Sequence, residues 1–333
     1  MSPVTMLRPQ DGPLVVAVPS KGRLQENASA FFARAGLAFQ QGRGARDYRG
    51  AIAGLSDVVV EFLSASEITR RLGSGEAHLG ITGEDLVREE IADPDAAVAL
   101  LAPLGFGHAN VVVAAPQAWI DVRTMADLEE VAVDMRVRHG RKMRVATKYV
   151  QLTRRFFAER GLADYRIVES LGATEGAPAS GAAEIVVDIT TTGATLAANA
   201  LKVIEDGVIL RSEANLVASL RAPWGSRART AVRAILGRIA AEEAARTTRE
   251  VRARIAPGTE SAFAALAERA GARAPYGASA PELVLHVPRA SVFALVDGLA
   301  EAGASEIGVR ALEYLFRAEN PLLATLEERL AVR

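Results

Sequence analysis

The apolar positions of the N-terminal part come in short blocks separated by polar segments of helical spacing. Residues 14–18, Leu-Val-Val-Ala-Val, are an unbroken apolar run of strand length. Pro19-Ser20-Lys21-Gly22-Arg23 is a turn, and residues 24–35 have a helical pattern that stops at Gly36. Residues 57–63 predict a second strand. Ser64 is placed as the N-cap of the next helix, with Glu67 three residues on as its capping-box partner. Leu79-Gly80-Ile81-Thr82-Gly83 predicts a short strand entering a glycine turn. Strands alternating with helices predict a mostly parallel α/β sheet.

The same alternation returns over residues 109–201. Strands are predicted at 110–115 and 144–147, a helix from about 150 to 160, and a strand at 185–189. The chain then comes back through apolar segments at 207–210 and 215–217. Two α/β lobes joined by more than one crossing leave a cleft, a usual place for small ligands. From 222 to 256 the composition shifts to Ala, Arg and Glu with helical spacing, which predicts a solvated connecting helix. Pro257-Gly258 and Pro275-Tyr276-Gly277 bracket another short helix. The tail reads strand (283–287), amphipathic helix (291–302, ending at Gly303), strand (307–312): a βαβ unit in a small separate domain. The predicted organisation is α/β, with lobe I at 1–108 and 202–225, lobe II at 109–201, and a linker helix plus small α+β domain at 226–333.

Composition narrows the class. A chain of 333 residues is long enough for two or three domains. A net charge of −1 gives no global argument for nucleic acid or a membrane surface as partner. The lack of cysteine excludes disulfides, cysteine–metal sites and a thiol nucleophile, and fits a reducing cytosol. Residues 1–13 carry no signal-peptide pattern, and no apolar run approaches the roughly 20 residues of a membrane helix. The expectation is a soluble cytoplasmic protein. His78, His108, His139 and His286 show no metal-ligand spacing, and there is no Walker-type loop.

The most informative chemistry lies at residues 186–196. An apolar run ends in Asp188, and Thr190, Thr191, Thr192, Gly193, Ala194 and Thr195 follow before a helix begins. A carboxylate at the end of a buried strand can hold a ribose diol or orient a metal. A Thr/Gly turn can wrap a phosphate, and the next helix would aim its positive end at the same place. Taken alone such a turn is as often empty of ligand, and Asp188 could simply be a cap. Lys21-Gly22-Arg23 could approach an anion at the mouth of the sheet, or be a solvated basic turn. Gly83 and Asp85 lie in a second tight loop, where helix capping is an equal reading. Glu175 sits in a glycine-rich turn. The cluster Arg136, Arg138, His139, Arg141, Lys142 and Arg144 could attract polyphosphate but more often makes a solvated loop.

In their order along the chain these pieces resemble ATP phosphoribosyltransferase, the first enzyme of histidine biosynthesis. Residues 17–24 (AVPSKGRL) are similar to its ALPKGRL-type motif, 79–85 to its LGITGxD loop, and 144–149 to its RIATxY strand. Residues 172–178 followed by 184–199 resemble GSVExAP…ADxIVDIVSTGxTLxxN. Departures are Ser20, Ala173 for serine, Glu184 for aspartate, Val150 for proline and Ala200 for glycine. The resemblance implies a two-lobed, periplasmic-binding-protein-like catalytic core with a cleft. The tail, with Gly303-Ala304-Ser305-Glu306-Ile307 similar to a GAxxI turn, implies an ACT-like regulatory domain. It implies ATP and 5-phosphoribosyl-1-pyrophosphate (PRPP) as substrates, Mg2+ as cofactor, histidine as feedback inhibitor and a homo-oligomer, from dimer to hexamer.

On that resemblance, Thr191, Thr192, Gly193, Ala194 and Thr195 cradle the 5-phosphate and Asp188 holds the ribose hydroxyls. Glu175 orients the sugar or metal shell. Lys21, Gly22 and Arg23 face the pyrophosphate or ATP phosphates, and Gly83 and Asp85 line the nucleotide side. No side-chain metal ligand is assigned. The competing reading is a catalytically inactive two-lobed protein that binds a small anion or acts as a regulator.

Overall fold

The computed structural model describes residues 11–41, 48–170 and 172–332. The reading of residues 1–10 as free of an export signal lies outside them. The described chain forms two compact units, and the larger contains two sheets.

The first lobe runs β1 (Leu14–Pro19), α1 (Gly22–Arg34), β2 (Phe39–Gln41), β3 (Arg49–Ile52), β4 (Leu55–Leu63), α2 (Ala65–Ser74), β5 (Leu79–Gly83), α3 (Glu84–Glu90), α4 (Pro94–Ala97) and β6 (Val98–Pro103). β1 is buried along its whole length, as its unbroken apolar run requires, and pairs in parallel with β4 and β5. Val15 and Ala17 pack against Ile68 and Leu72 of α2. The expected capping box of α2 is half formed. Ser64 accepts the Glu67 N–H at 3.2 Å, but the Glu67 carboxylate turns forward to Arg70 and Arg71, whose charge makes them stronger partners than a backbone amide.

The second lobe runs β7 (Asn110–Pro116), α5 (Met125–His139), β8 (Met143–Thr147), α6 (Val150–Glu159), β9 (Tyr165–Glu169), β10 (Ile185–Thr190), α7 (Ala194–Ala198) and β11 (Leu201–Leu210). Its strand order is β11-β7-β10-β8-β9. Val113, Val145 and Val187 meet Leu128, Leu152 and Phe157 in its core. β11 corrects the expected boundary at 202. It pairs with β7 from Leu201↔Pro116 to Leu210↔Val111, so the second lobe extends to Leu210. The reason is that β7 would otherwise be an open edge, and the apolar residues of β11 cover it. β12 (Ala214–Ser219) then enters the first sheet between β5 and β6.

Register places the edges that carry the candidate site residues. β12 starts where β5 ends (Ala214↔Gly83), and β7 starts where β10 ends (Asn110↔Thr190). Both crossings between the sheets, residues 104–109 and 211–213, therefore join the C-terminal ends of the parallel strands. Those two edges face each other, which is the two-lobed, periplasmic-binding-protein-like arrangement.

The C-terminal elements are α8 (Ser226–Thr247), β13 (Thr248–Arg254), α9 (Glu260–Arg269), β14 (Glu282–Pro288), α10 (Val292–Glu301), β15 (Ser305–Ala311) and α11 (Pro321–Ala331). The smaller unit comprises Phe31–Ala38 and Val232–Ala324, so the linear boundary at 226 is only approximate. The segment expected as a solvated helix is neither solvated nor all helix. α8 buries Val232, Ile235, Leu236 and Ile239, and residues 248–254 form the central strand. β14 and β15 both pair antiparallel to β13, so they are parallel to each other across it. This is the predicted βαβ with one strand inserted. Leu285, Val251, Phe263, Leu295 and Leu299 fill its core, giving the ACT-like α+β layer.

One strained position gives a stability prediction. Ala200 has φ 55°, in the left-handed region that penalises a side chain, and its carbonyl accepts the Gln117 N–H at 2.8 Å. Ala200→Gly should raise stability by up to about 1 kcal/mol, and a thermal melt should move upward by about 2 °C. A lower melting temperature would mean that the turn is not strained.

Candidate active site

Asp188 lies in β10 on the same face as Val186, since side chains alternate along a strand. That face is lined by the small residues Ala114, Ala146 and Ala177. The carboxylate is half-buried, and its one hydrogen bond among the described residues comes from the Ile189 N–H to Oδ1, at 2.8 Å. Burial pushes the Asp188 carboxyl above its ordinary value. The Ile189 N–H and the Lys148 ammonium pull it back, and the charge of Glu175 adds to the rise. The structure thus brings Asp188, Glu175 and Lys148 within electrostatic reach of one another. Glu175 is half-buried in a 3-10 turn at Thr174–Gly176.

After β10 the Thr loop turns through Gly193 at φ 77°, where a Cβ would be strained. Thr190 Oγ1 accepts the Gly193 N–H at 2.7 Å and shapes the bend. Thr192, Ala194 and Thr195 are exposed. Thr191 is exposed too, but its hydroxyl donates to the His108 carbonyl at 2.9 Å, tying the loop to the crossing segment. The helix expected to follow is short. α7 has five residues, so a phosphate grip here rests on loop N–H groups and hydroxyls more than on a helix dipole.

Lys21 and the first two residues of α1, Gly22 and Arg23, are exposed just after β1, and neither cation forms an ion pair among the described residues. This turn lies beside the one after β5, because β1 and β5 are neighbours. Within that second turn Asp85 behaves differently from the expectation of an ATP contact. It is 5% exposed and both oxygens are engaged. Oδ2 accepts the Tyr149 hydroxyl at 2.8 Å and Oδ1 accepts the Ser212 hydroxyl at 2.9 Å, while the Asp85 N–H donates back to Ser212 Oγ. Gly83 makes the room: a Cβ there would lie 2.2 Å from Asp85 Oδ1. Asp85 is therefore a link between the lobes.

Three residues of this region had no role from the sequence. Tyr149 is 1% exposed. Burial, and then the negative charge of Asp85, push its phenol well above the ordinary range and keep it a donor. Lys148 lies 5.0 Å from the Tyr149 ring centroid. Both sit directly after β8, so strand order was the available signal; Ser212 had none. The basic cluster lies elsewhere, around the start of β8 at the opposite edge of the sheet. Burial works against a charged Glu184, yet bonds from Arg144 and Arg141 outweigh it and hold the carboxyl at about 2. Arg138 is paired with Asp134 at 2.6 Å. His78 is structural: Nδ1 accepts the Val15 N–H and Nε2 faces the Pro223 carbonyl, each at 3.1 Å.

Comparison with known proteins decides the family. The sequence profile of ATP phosphoribosyltransferase matches residues 64–241. An ATP phosphoribosyltransferase of Bradyrhizobium diazoefficiens is 59% identical over 95% of this chain and 98% of its own. The chain belongs to the ATP phosphoribosyltransferase family. A further family member, from Rhodopseudomonas palustris (strain HaA2), is 58% identical over 94% of this chain and 97% of its own. The ATP phosphoribosyl transferase (HisG:HisZ) complex from Thermotoga maritima shares the fold, with TM-score 0.52 and 24% identity over 68% of this chain and 95% of that one. The family profile spans the Gly83, Lys148–Tyr149, Glu175 and Asp188–Thr195 segments of the site.

Proposed function

We propose that the facing edges of the two lobes carry the family's reaction. N1 of the adenine of ATP displaces pyrophosphate from C1 of PRPP, giving N1-(5-phosphoribosyl)-ATP. The supporting observation is the half-buried, nearly unpartnered Asp188 carboxylate beside an exposed Thr loop. A ribose with a 5-phosphate needs that pair, a diol acceptor next to an anion cradle. Thr192, Gly193, Ala194 and Thr195, with the N–H of Thr191, hold the phosphate, and Asp188 holds the ribose hydroxyls. Lys148, Lys21 and Arg23 supply positive charge towards the polyphosphates. Adenine N1 already has a lone pair, so the protein's work is positioning and charge stabilisation.

Mg2+ suits this site in one form. Among the described residues no cluster of three or more His, Asp or Glu side chains could hold a metal. Asp188 and Glu175 offer hard oxygens close enough to feel each other's charge, which fits an ion carried mainly on substrate oxygens. When bound, Mg2+ would neutralise charge on the departing pyrophosphate. Histidine as feedback inhibitor fits the ACT-like C-terminal unit, and a homo-oligomer of two to six copies fits the same family resemblance. Among the described residues no helix is long and apolar enough to cross a membrane, and a cytoplasmic setting suits ATP and PRPP as substrates.

The test is to mix the purified protein with ATP, PRPP and Mg2+ and follow pyrophosphate and N1-ribosylated adenine, with and without histidine. Product suppressed by histidine supports both parts of the reading. Product indifferent to histidine removes the regulatory part. Folded protein that makes no product overturns the enzymatic reading.

A further inference from the structure

The first turn of α6 is capped from the other lobe. Tyr149, its N-cap residue, makes no side-chain cap bond, and the turn holds no acidic residue of its own. Glu89 of α3 takes that place. Its Oε1 accepts the Gln151 N–H at 2.9 Å, and its Oε2 accepts the N–H groups of Gln151 at 3.0 Å and Leu152 at 2.9 Å. A carboxylate on the free N–H groups of a helix start is favoured by hydrogen bonding and by the helix dipole together. Two more bonds run the same way: the Arg155 guanidinium donates to the Arg88 carbonyl, and the Tyr149 hydroxyl to Asp85. Positions 85, 88 and 89 share one face of α3 by helical spacing, and that face meets α6.

We propose that Glu89 is a positioning residue for phosphoribosyl transfer, setting the spacing of the two lobes by capping α6 across the gap. Lys148 and Tyr149 directly precede α6, and Lys148 lies within electrostatic reach of Asp188. A shift of α6 therefore moves groups at the PRPP side relative to the Lys21 and Gly83 turns on the nucleotide side. The inference rests on the active site proposed above. In that assignment the ribose and 5-phosphate of PRPP are gripped within the second lobe, whereas ATP must be held against it by the first. Loosening the lobes should spare the first grip and damage the second, because alignment of two reactants is sensitive to displacements of about 1 Å.

Glu89→Ala should raise the Michaelis constant for ATP and lower kcat, each by about tenfold, with that for PRPP changed by less than about twofold. Glu89→Gln keeps an oxygen of the same reach for the two N–H groups and should recover most of the loss. A purely structural role would lower the melting temperature and the active fraction without this split. Unchanged constants per folded molecule in Glu89→Ala, or equal rises for both substrates, overturn the proposal. The wild-type protein in the same assay separates the two readings: if it releases no pyrophosphate from PRPP with ATP, the site assignment fails on its own account.

Discussion

Asp188→Asn should lower turnover by about two to four orders of magnitude while leaving the fold intact. The substitution is nearly isosteric. The amide oxygen can still accept the Ile189 N–H that now bonds Oδ1, and removing the charge also removes repulsion from Glu175. Nothing in the structure therefore predicts unfolding. What is lost is a negative charge beside a sugar that becomes cationic as pyrophosphate leaves, as in other glycosyl transfers. A neutral amide holds ribose hydroxyls less strongly and does little for an oxocarbenium-like centre. Steady-state kinetics with ATP and PRPP, alongside a thermal melt, make the measurement. Near-normal PRPP kinetics in a folded variant would take Asp188 out of the site. A collapsed melting temperature would make its role structural instead.

How much of this was readable in the residues depends on what fixes each element. β1 and β10 were plain, because an unbroken apolar run has few other uses. The order of the glycine and threonine turns pointed to the C-terminal strand edges, where the proposed site lies. β13 was misread because Thr248–Arg254 is rich in Arg and Glu, which favour helix, and follows the like-composed α8. Its strand state comes from pairing on both sides, with β14 and β15, which no local window contains. β2 and β3 are three- and four-residue pieces, too short to leave a period, and exist by pairing towards β4. The site divides in the same way. Asp188 and the Thr loop of the proposed site are contiguous, so a single local window contains them. Asp85, Tyr149 and Ser212 are far apart in sequence and meet only because the two crossings bring the sheet edges together.

That three-residue link carries the other large expected effect. Asp85→Ala removes the acceptor of two hydroxyls, on Tyr149 at 1% exposure and Ser212 at 2%. Buried donors left without partners cost about 2–4 kcal/mol together, so the melting temperature should fall by roughly 4–8 °C. Asp85→Asn keeps the shape and one acceptor oxygen, and either hydroxyl can rotate to accept from the amide. It should cost about 1 kcal/mol. Tyr149→Phe leaves Asp85 with the Ser212 hydroxyl and should fall between the two. In the double variant Asp85→Ala/Tyr149→Phe the orphaned phenol is gone, so the loss should be smaller than the sum of the single losses. A thermal melt of the four proteins settles the cycle. Additive losses would mean that the phenol and the carboxylate do not act as a pair. An unchanged melting temperature in Asp85→Ala with a raised Michaelis constant for ATP would return Asp85 to the nucleotide contact implied by the family resemblance. The predicted pattern instead makes the glycine turn after β5 a joint: Gly83 gives up its side chain so that Asp85 can fold back and hold the second lobe.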